Sequence, residues 1–141
     1  MKDKQKLDYK TTYMHNTHTG ITKKQFQDFI EFEVDGPFQM INLLKFKDKV
    51  EETGTTGAEA YAQYMNAILP FFKDTRAKVL YQGKPLFGLI GPEDTIEWDK
   101  VLIVAYESKQ EFIGMITKEE YPAEMRSRAL IDSRLILCTS K

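Results

Sequence analysis

Two short segments, Met40-Ile41-Asn42-Leu43-Leu44 and Val101-Leu102-Ile103-Val104-Ala105, are apolar at nearly every position. A strand with one wet face alternates apolar and polar residues, whereas one covered on both faces does not. The two segments therefore require a sheet whose centre is covered on both sides. A layer of helices supplies one cover. A chain of 141 residues has little left for the other. Apolar surface left wet forfeits about 25 cal/mol per Å2. The economical second cover is a second copy of the chain, since two-fold pairing is the commonest closure and large apolar patches mark interfaces. The competing cover is the N-terminal segment folded over the same face.

Helix-start signals recur between the strands. Thr22-Lys23-Lys24-Gln25 has the form of a capping box, with Ile21 and Phe26 placed as a hydrophobic staple and Phe29 and Ile30 following at helical spacing. Asp35-Gly36-Pro37 ends that element, and residues 38–46 read as a strand. Thr56-Gly57-Ala58-Glu59 is a second box. Behind it Tyr61, Tyr64, Met65, Ile68, Leu69 and Phe72 form one apolar stripe, read as core. Pro70 lies within the stripe and should kink the helix, at about 3 kcal/mol. Residues 77–82 read as a strand, interrupted at Gly83-Lys84-Pro85 and resumed over 86–90; Pro85 makes it an edge or a bulged strand. Gly91-Pro92-Glu93-Asp94 is a turn, and residues 100–106 are a further strand. Ser108-Lys109-Gln110-Glu111 is a third box, with Thr117-Lys118-Glu119-Glu120 as a restart at a bend, and residues 131–138 are the last strand.

With the leading helix set aside, the order is βαββαβ: an α+β, ferredoxin-like chain with an antiparallel sheet. The crossovers put both helices on one sheet face, with the first and third strands central. Residues 1–21 are expected to be a polar extension, with a short strand near residues 7–13, and residues 22–141 a single domain.

Charge and cysteine content narrow the function classes. Lys plus Arg total 20 against 21 for Asp plus Glu, a balance unlike that of a nucleic-acid binder. Cys138 is the only cysteine, so no intrachain disulfide forms. No apolar run approaches the roughly 20 residues of a membrane span. No apolar stretch follows the charged N-terminus as in a secretory signal. A cytoplasmic protein without membrane or nucleic-acid partners is expected.

The run Pro37-Phe38-Gln39-Met40-Ile41-Asn42-Leu43-Leu44-Lys45-Phe46 resembles the opening strand of the bacterial family termed domain of unknown function 1330. Val79-Leu80-Tyr81-Gln82-Gly83, Leu89-Ile90-Gly91-Pro92, Trp98-Asp99 and Ala129-Leu130-Ile131-Asp132-Ser133-Arg134-Leu135-Ile136 are similar to that family in order and spacing. The likeness runs over residues 22–138 and leaves out the N-terminal extension. It implies a dimeric α/β barrel, in which two ferredoxin-like sheets face each other. It implies no reaction, because the frame serves cofactor-free monooxygenases, isomerases, haem enzymes and amino-acid-sensing domains alike.

Asn42 is the polar exception in the first strand and, once buried, must find partners or cost about 1–3 kcal/mol. It reads as a ligand contact or as a satisfied core amide. Arg134 can fork onto a substrate carboxylate, or pair with Asp132, Glu97 or Asp99 at the sheet rim. Asn42 and Arg134 are expected to face a common cavity, with Tyr81, Trp98 and Tyr106 around the apolar body of a ligand. His15 and His18 are the only histidines, too few for a metal centre, and no metal or other cofactor is expected. The core segments lack a histidine to ligate haem. No catalytic residue is assigned.

Two functional readings follow. One is a homodimeric protein that binds a small, partly apolar molecule and works as a cofactor-free enzyme of monooxygenase or isomerase type. The other is a non-catalytic ligand-binding or interaction module on the same frame.

Overall fold

A computed structural model describes residues 17–93 and 95–140. The expected strand at residues 7–13 and His15 lie outside the described residues. The helix-start signals act as read. Helix α1 (Lys23–Glu31) begins where the Thr22 side chain accepts from the Gln25 amide at 3.1 Å. Helix α2 (Gly57–Lys73) begins at Thr56, which accepts from Glu59, and helix α3 (Lys109–Ile116) at Ser108, which accepts from Glu111. Each cap satisfies a first-turn N–H that has no partner within the helix. Helix α2 continues through Pro70 to Lys73.

Strands β1 (Phe38–Phe46), β2 (Lys78–Gly83), β3 (Lys100–Tyr106) and β4 (Leu130–Cys138) form an antiparallel sheet of order β2-β3-β1-β4. The chain is thus α+β with ferredoxin-like topology, and its two most apolar strands are central. The pleat sorts their side chains. Phe38, Met40, Asn42 and Leu44 alternate with Ile41 and Leu43, and Leu102, Val104 and Tyr106 with Val101 and Ile103. The first set is buried beneath the helices. Ile41, Leu43, Val101 and Ile103 are only partly buried on the opposite face.

Two expected elements differ. Residues 86–90 do not resume the strand: β2 stops at Gly83, and residues 84–99 follow without a regular element among the described residues. Pro85 has no N–H to donate, and Gly91 turns the chain at φ 140°. In this arm Leu86, Phe87, Leu89 and Ile90 are 79–96% exposed. The restart at Thr117 is also displaced. Thr117 caps the end of α3, and helix α4 (Ala123–Ala129) begins only after Pro122. Proline fits just before a helix without loss, whereas inside one it removes a backbone hydrogen bond.

Helix α1 buries none of its residues. It is held where the Phe29 ring meets Phe112 edge-on at 5.7 Å. Its last carbonyls are gathered by Lys109, whose Nζ donates to Phe29, Ile30 and Phe32 at 3.2, 2.6 and 2.6 Å. A cation there also suits the helix dipole.

The start of α2 is wedged against backbone. The Gly57 N–H donates to Lys47 O, and the Lys47 N–H to Ala129 O, each at 2.9 Å. A Cβ on Gly57 would lie 2.4 Å from Lys47 O and 2.6 Å from Ala129 O. Gly114, in α3, has open space around the same position. Gly57→Ala should therefore cost about 2–3 kcal/mol by overpacking. Gly114→Ala should gain about 0.5–1 kcal/mol by stiffening the unfolded chain. Urea unfolding of the two variants would measure this opposition of sign.

Candidate functional site

A cavity of about 590 Å3 lies between the helix-facing side of the sheet and the helices. Its sheet wall includes Asn42, Leu102, Val104 and Tyr106, and helix α2 adds Tyr61, Met65, Ile68 and Phe72. Helix α4 contributes Arg126, and the mouth is bordered by residues 19–23 and Phe26 at the start of α1. The volume falls within the range of small-molecule sites, and the walls are mainly apolar. A smaller hollow of about 410 Å3 adjoins it between α1 and β4, sharing Arg126, Phe26 and Phe112.

The polar end of the cavity is a short relay. Arg126 Nη2 donates to Asn42 Oδ1 at 3.0 Å, and Asn42 Nδ2 donates to Leu102 O at 3.3 Å. The buried amide thus uses both ends. Burial pushes the Tyr61 hydroxyl above its ordinary ionisation range, while the charge and hydrogen bonding of Arg126 pull it back. Burial likewise raises Tyr64, Tyr106 and Tyr121, and the Tyr64 and Tyr121 hydroxyls are hydrogen-bonded to each other. All four remain protonated near neutrality and serve as donors rather than bases. The carboxylate on the lining is Glu124, which accepts from Arg128 at 3.1 Å. Among the described residues Arg126 has no carboxylate partner.

Of the residues expected at a ligand site, Asn42 and Tyr106 line this cavity, and Tyr81, Trp98 and Arg134 do not. The expectation that Asn42 and Arg134 share one cavity is corrected by the strand register. Arg134 pairs with Leu43, and Asn42 with Leu135, so the pleat sends Arg134 to the opposite sheet face. There it binds Asp132 at 2.7 Å and lies 5.2 Å from the centre of the Trp98 ring. Of the two hollows, Arg134 borders the smaller, which Asn42 does not line. Tyr81 pairs with Ile103 and is largely exposed. Trp98 is followed by Asp99, whose Oδ2 accepts the Phe46 N–H at 2.8 Å and closes the end of β1.

Arg126, Tyr61 and Tyr121 are among the cavity residues missed as site residues in the sequence. Arg126 had one signal: it lies three residues after Ala123, which lines the cavity, and three before buried Ala129. That spacing puts a cation on the inward side of a short helix.

His18 is held by its backbone. Its N–H donates to Asp132 Oδ1 at 2.8 Å, and its carbonyl accepts from Ser133 Oγ at 2.7 Å. The described end of the extension is therefore docked on β4.

No protein-family model and no curated protein matches the chain. Among solved structures, the RPA0582 protein of unknown function from Rhodopseudomonas palustris is 36% identical, with a TM-score of 0.80 over 89% of this chain and 98% of that one. The chain belongs to the same family as that protein. The methylated form of RPA0582 is 35% identical over 89% of this chain and 96% of its own, also at a TM-score of 0.80. Further off, at 14% identity and a TM-score of 0.48, a dimeric ferredoxin-like protein of unknown function from Thermobifida fusca covers 77% of this chain and 95% of its own.

Asp132 joins the extension to the sheet and is sensitive to pH. Burial pushes its pKa up, but the His18 and Ser133 amides and the Arg134 guanidinium outweigh this and hold it below the ordinary value. Its folded pKa is depressed, so its stabilisation is full above the unfolded value of about 3.9 and is lost as pH falls through the lower folded value. Asp132→Asn should cost about 1–2 kcal/mol at neutral pH. The gap from the native chain should narrow below about pH 4, as urea melts at neutral and acid pH would reveal.

Proposed function

We propose that this protein binds a small, mainly apolar molecule in the cavity between sheet and helices, and that it works as a pair of copies. The observation that carries the binding reading is the cavity itself: apolar walls converging on a relay of Arg126, Asn42 and Leu102. Convergent polar groups at one end of an apolar hollow are the usual layout of a ligand site. Asn42 and Tyr106 then contact the ligand. Binding is the step these groups support, since the tyrosines offer protons rather than take them.

Two features support pairing. Ile41, Leu43, Val101 and Ile103 form an apolar sheet face that no helix covers among the described residues. The arm at residues 84–99 also holds four apolar side chains out in water. Burying both against a second copy removes a large wet apolar area. Tyr81, Trp98 and Arg134, on or beside that face, then belong to the seam between copies. This arrangement agrees with the dimeric α/β barrel implied by the resemblance to domain of unknown function 1330, to which we assign residues 22–138. Residues 22–141 are taken as the domain and residues 1–21 as its extension. Among the described residues no helix is long and apolar enough to cross a membrane. The lone Cys138 suits the cytoplasm.

The neutral dye N-phenylnaphthylamine should brighten and saturate at one site per protomer. Ile68→Trp, which fills the cavity, should abolish that signal while circular dichroism stays native. A folded native chain that gives no saturable signal would sink the binding reading.

Light scattering should give a dimer mass at micromolar concentration, and Ile103→Lys should give a monomer that keeps its secondary structure. A native chain of monomer mass would end the pairing reading.

A further inference from the structure

Arg126 has more hydrogen-bonding capacity than its described neighbours use. A guanidinium carries five N–H donors. Its Nη2 donates to Asn42 Oδ1 at 3.0 Å, and it also hydrogen-bonds the Tyr61 hydroxyl, which leaves donors over. None of the described ion pairs includes it, although it is partly buried beside an apolar hollow. Other charges on the lining are arranged compatibly. Lys23 adds a second cation at the mouth, and Glu124 is drawn to Arg128. Arg128 is in turn 3.6 Å from Glu52, so it is already shared between two carboxylates. The Tyr61 hydroxyl lies close enough to Arg126 for the cation to influence its ionisation, yet burial keeps it protonated.

We infer that the ligand is a small apolar carboxylic acid whose carboxylate is received by Arg126. This rests on the binding reading above and names the chemical class that the site selects. A carboxylate matches the planar fork of a guanidinium, and a charge-assisted pair is much stronger away from bulk water than at an exposed surface. Tyr61 can donate to the same anion. Asn42 holds the guanidinium from behind: its Oδ1 accepts from Arg126, while its own Nδ2 is tied to the Leu102 carbonyl. It lines the cavity beside the ligand, and toward the carboxylate it acts by positioning Arg126. The apolar body lies along Met65, Ile68 and Val104. A neutral molecule of the same shape keeps the apolar contacts and loses the ion pair.

The test uses the full chain, with phenylbutyric acid and its amide competing against bound N-phenylnaphthylamine at neutral pH. The two competitors share an apolar body and differ in head-group charge. The acid should displace the dye at a concentration at least about tenfold lower than the amide, a factor within reach of one charge-assisted contact. Arg126→Gln should bring the two within about twofold. Arg126→Lys, which keeps the charge, should restore part of the preference. The native-chain comparison of acid with amide stands even where a variant fails to fold. Dye binding with no preference for the acid would overturn the role of Arg126 and leave the cavity reading intact. Absence of dye binding would overturn the cavity reading, and this inference with it.

Discussion

The antiparallel pairing of β1 with β3 governs the rest of the molecule. Met40 lies opposite Val104, and Asn42 opposite Leu102. Because directly paired residues share a face, this register assigns one set of side chains to the helices and the other to the outside. A slip of one residue would exchange the sets. Asn42 would leave the helix side, and Arg126 would lose the amide oxygen it bonds. The cavity, its polar end and the uncovered face are three results of one register.

The central amide couples the packing of the sheet to that of the last helix. An unsatisfied asparagine at this depth would be strongly destabilising. Its two partners come from opposite directions, a backbone carbonyl on β3 and a side chain on α4. The amide therefore links the sheet to the last helix across the cavity. The Tyr64 and Tyr121 pair makes a second link, from α2 to the segment before α4. Edge-on contacts of Phe71 with Tyr121 and of Tyr106 with Phe112 fill the space behind. Rings from α2, β3, α3 and the segment before α4 thus close the cavity around its charged end.

Much of the fold was legible because its signals are local. Threonine or serine three residues before a first-turn acceptor set the starts of α1, α2 and α3. The lack of alternation in β1 and β3 identified the central strands. The site was less legible. Asn42 stood out as a polar residue in an apolar strand, but its partner is 84 residues away, and nothing in the local pattern pairs them. Arg134 drew attention for the same reason as Asn42, yet odd and even positions of paired strands face opposite ways. Assigning it correctly required the register, not only the strand. Residues 86–90 have the composition of a strand, but Pro85 and Gly91 confine them to an irregular arm.

The edge strand β2 has a consequence for how copies assemble. Its pairing with β3 shifts between Val79 and Tyr81, and a proline follows two residues past its end. A bulged edge of this kind presents no straight ladder onto which another strand can zip. Edge-to-edge growth, which has no natural stopping point, is disfavoured on that side. Contact through the flat of the sheet is spent once a single neighbour covers it. The irregularity that weakens β2 as a strand thus favours a finite assembly over a fibre.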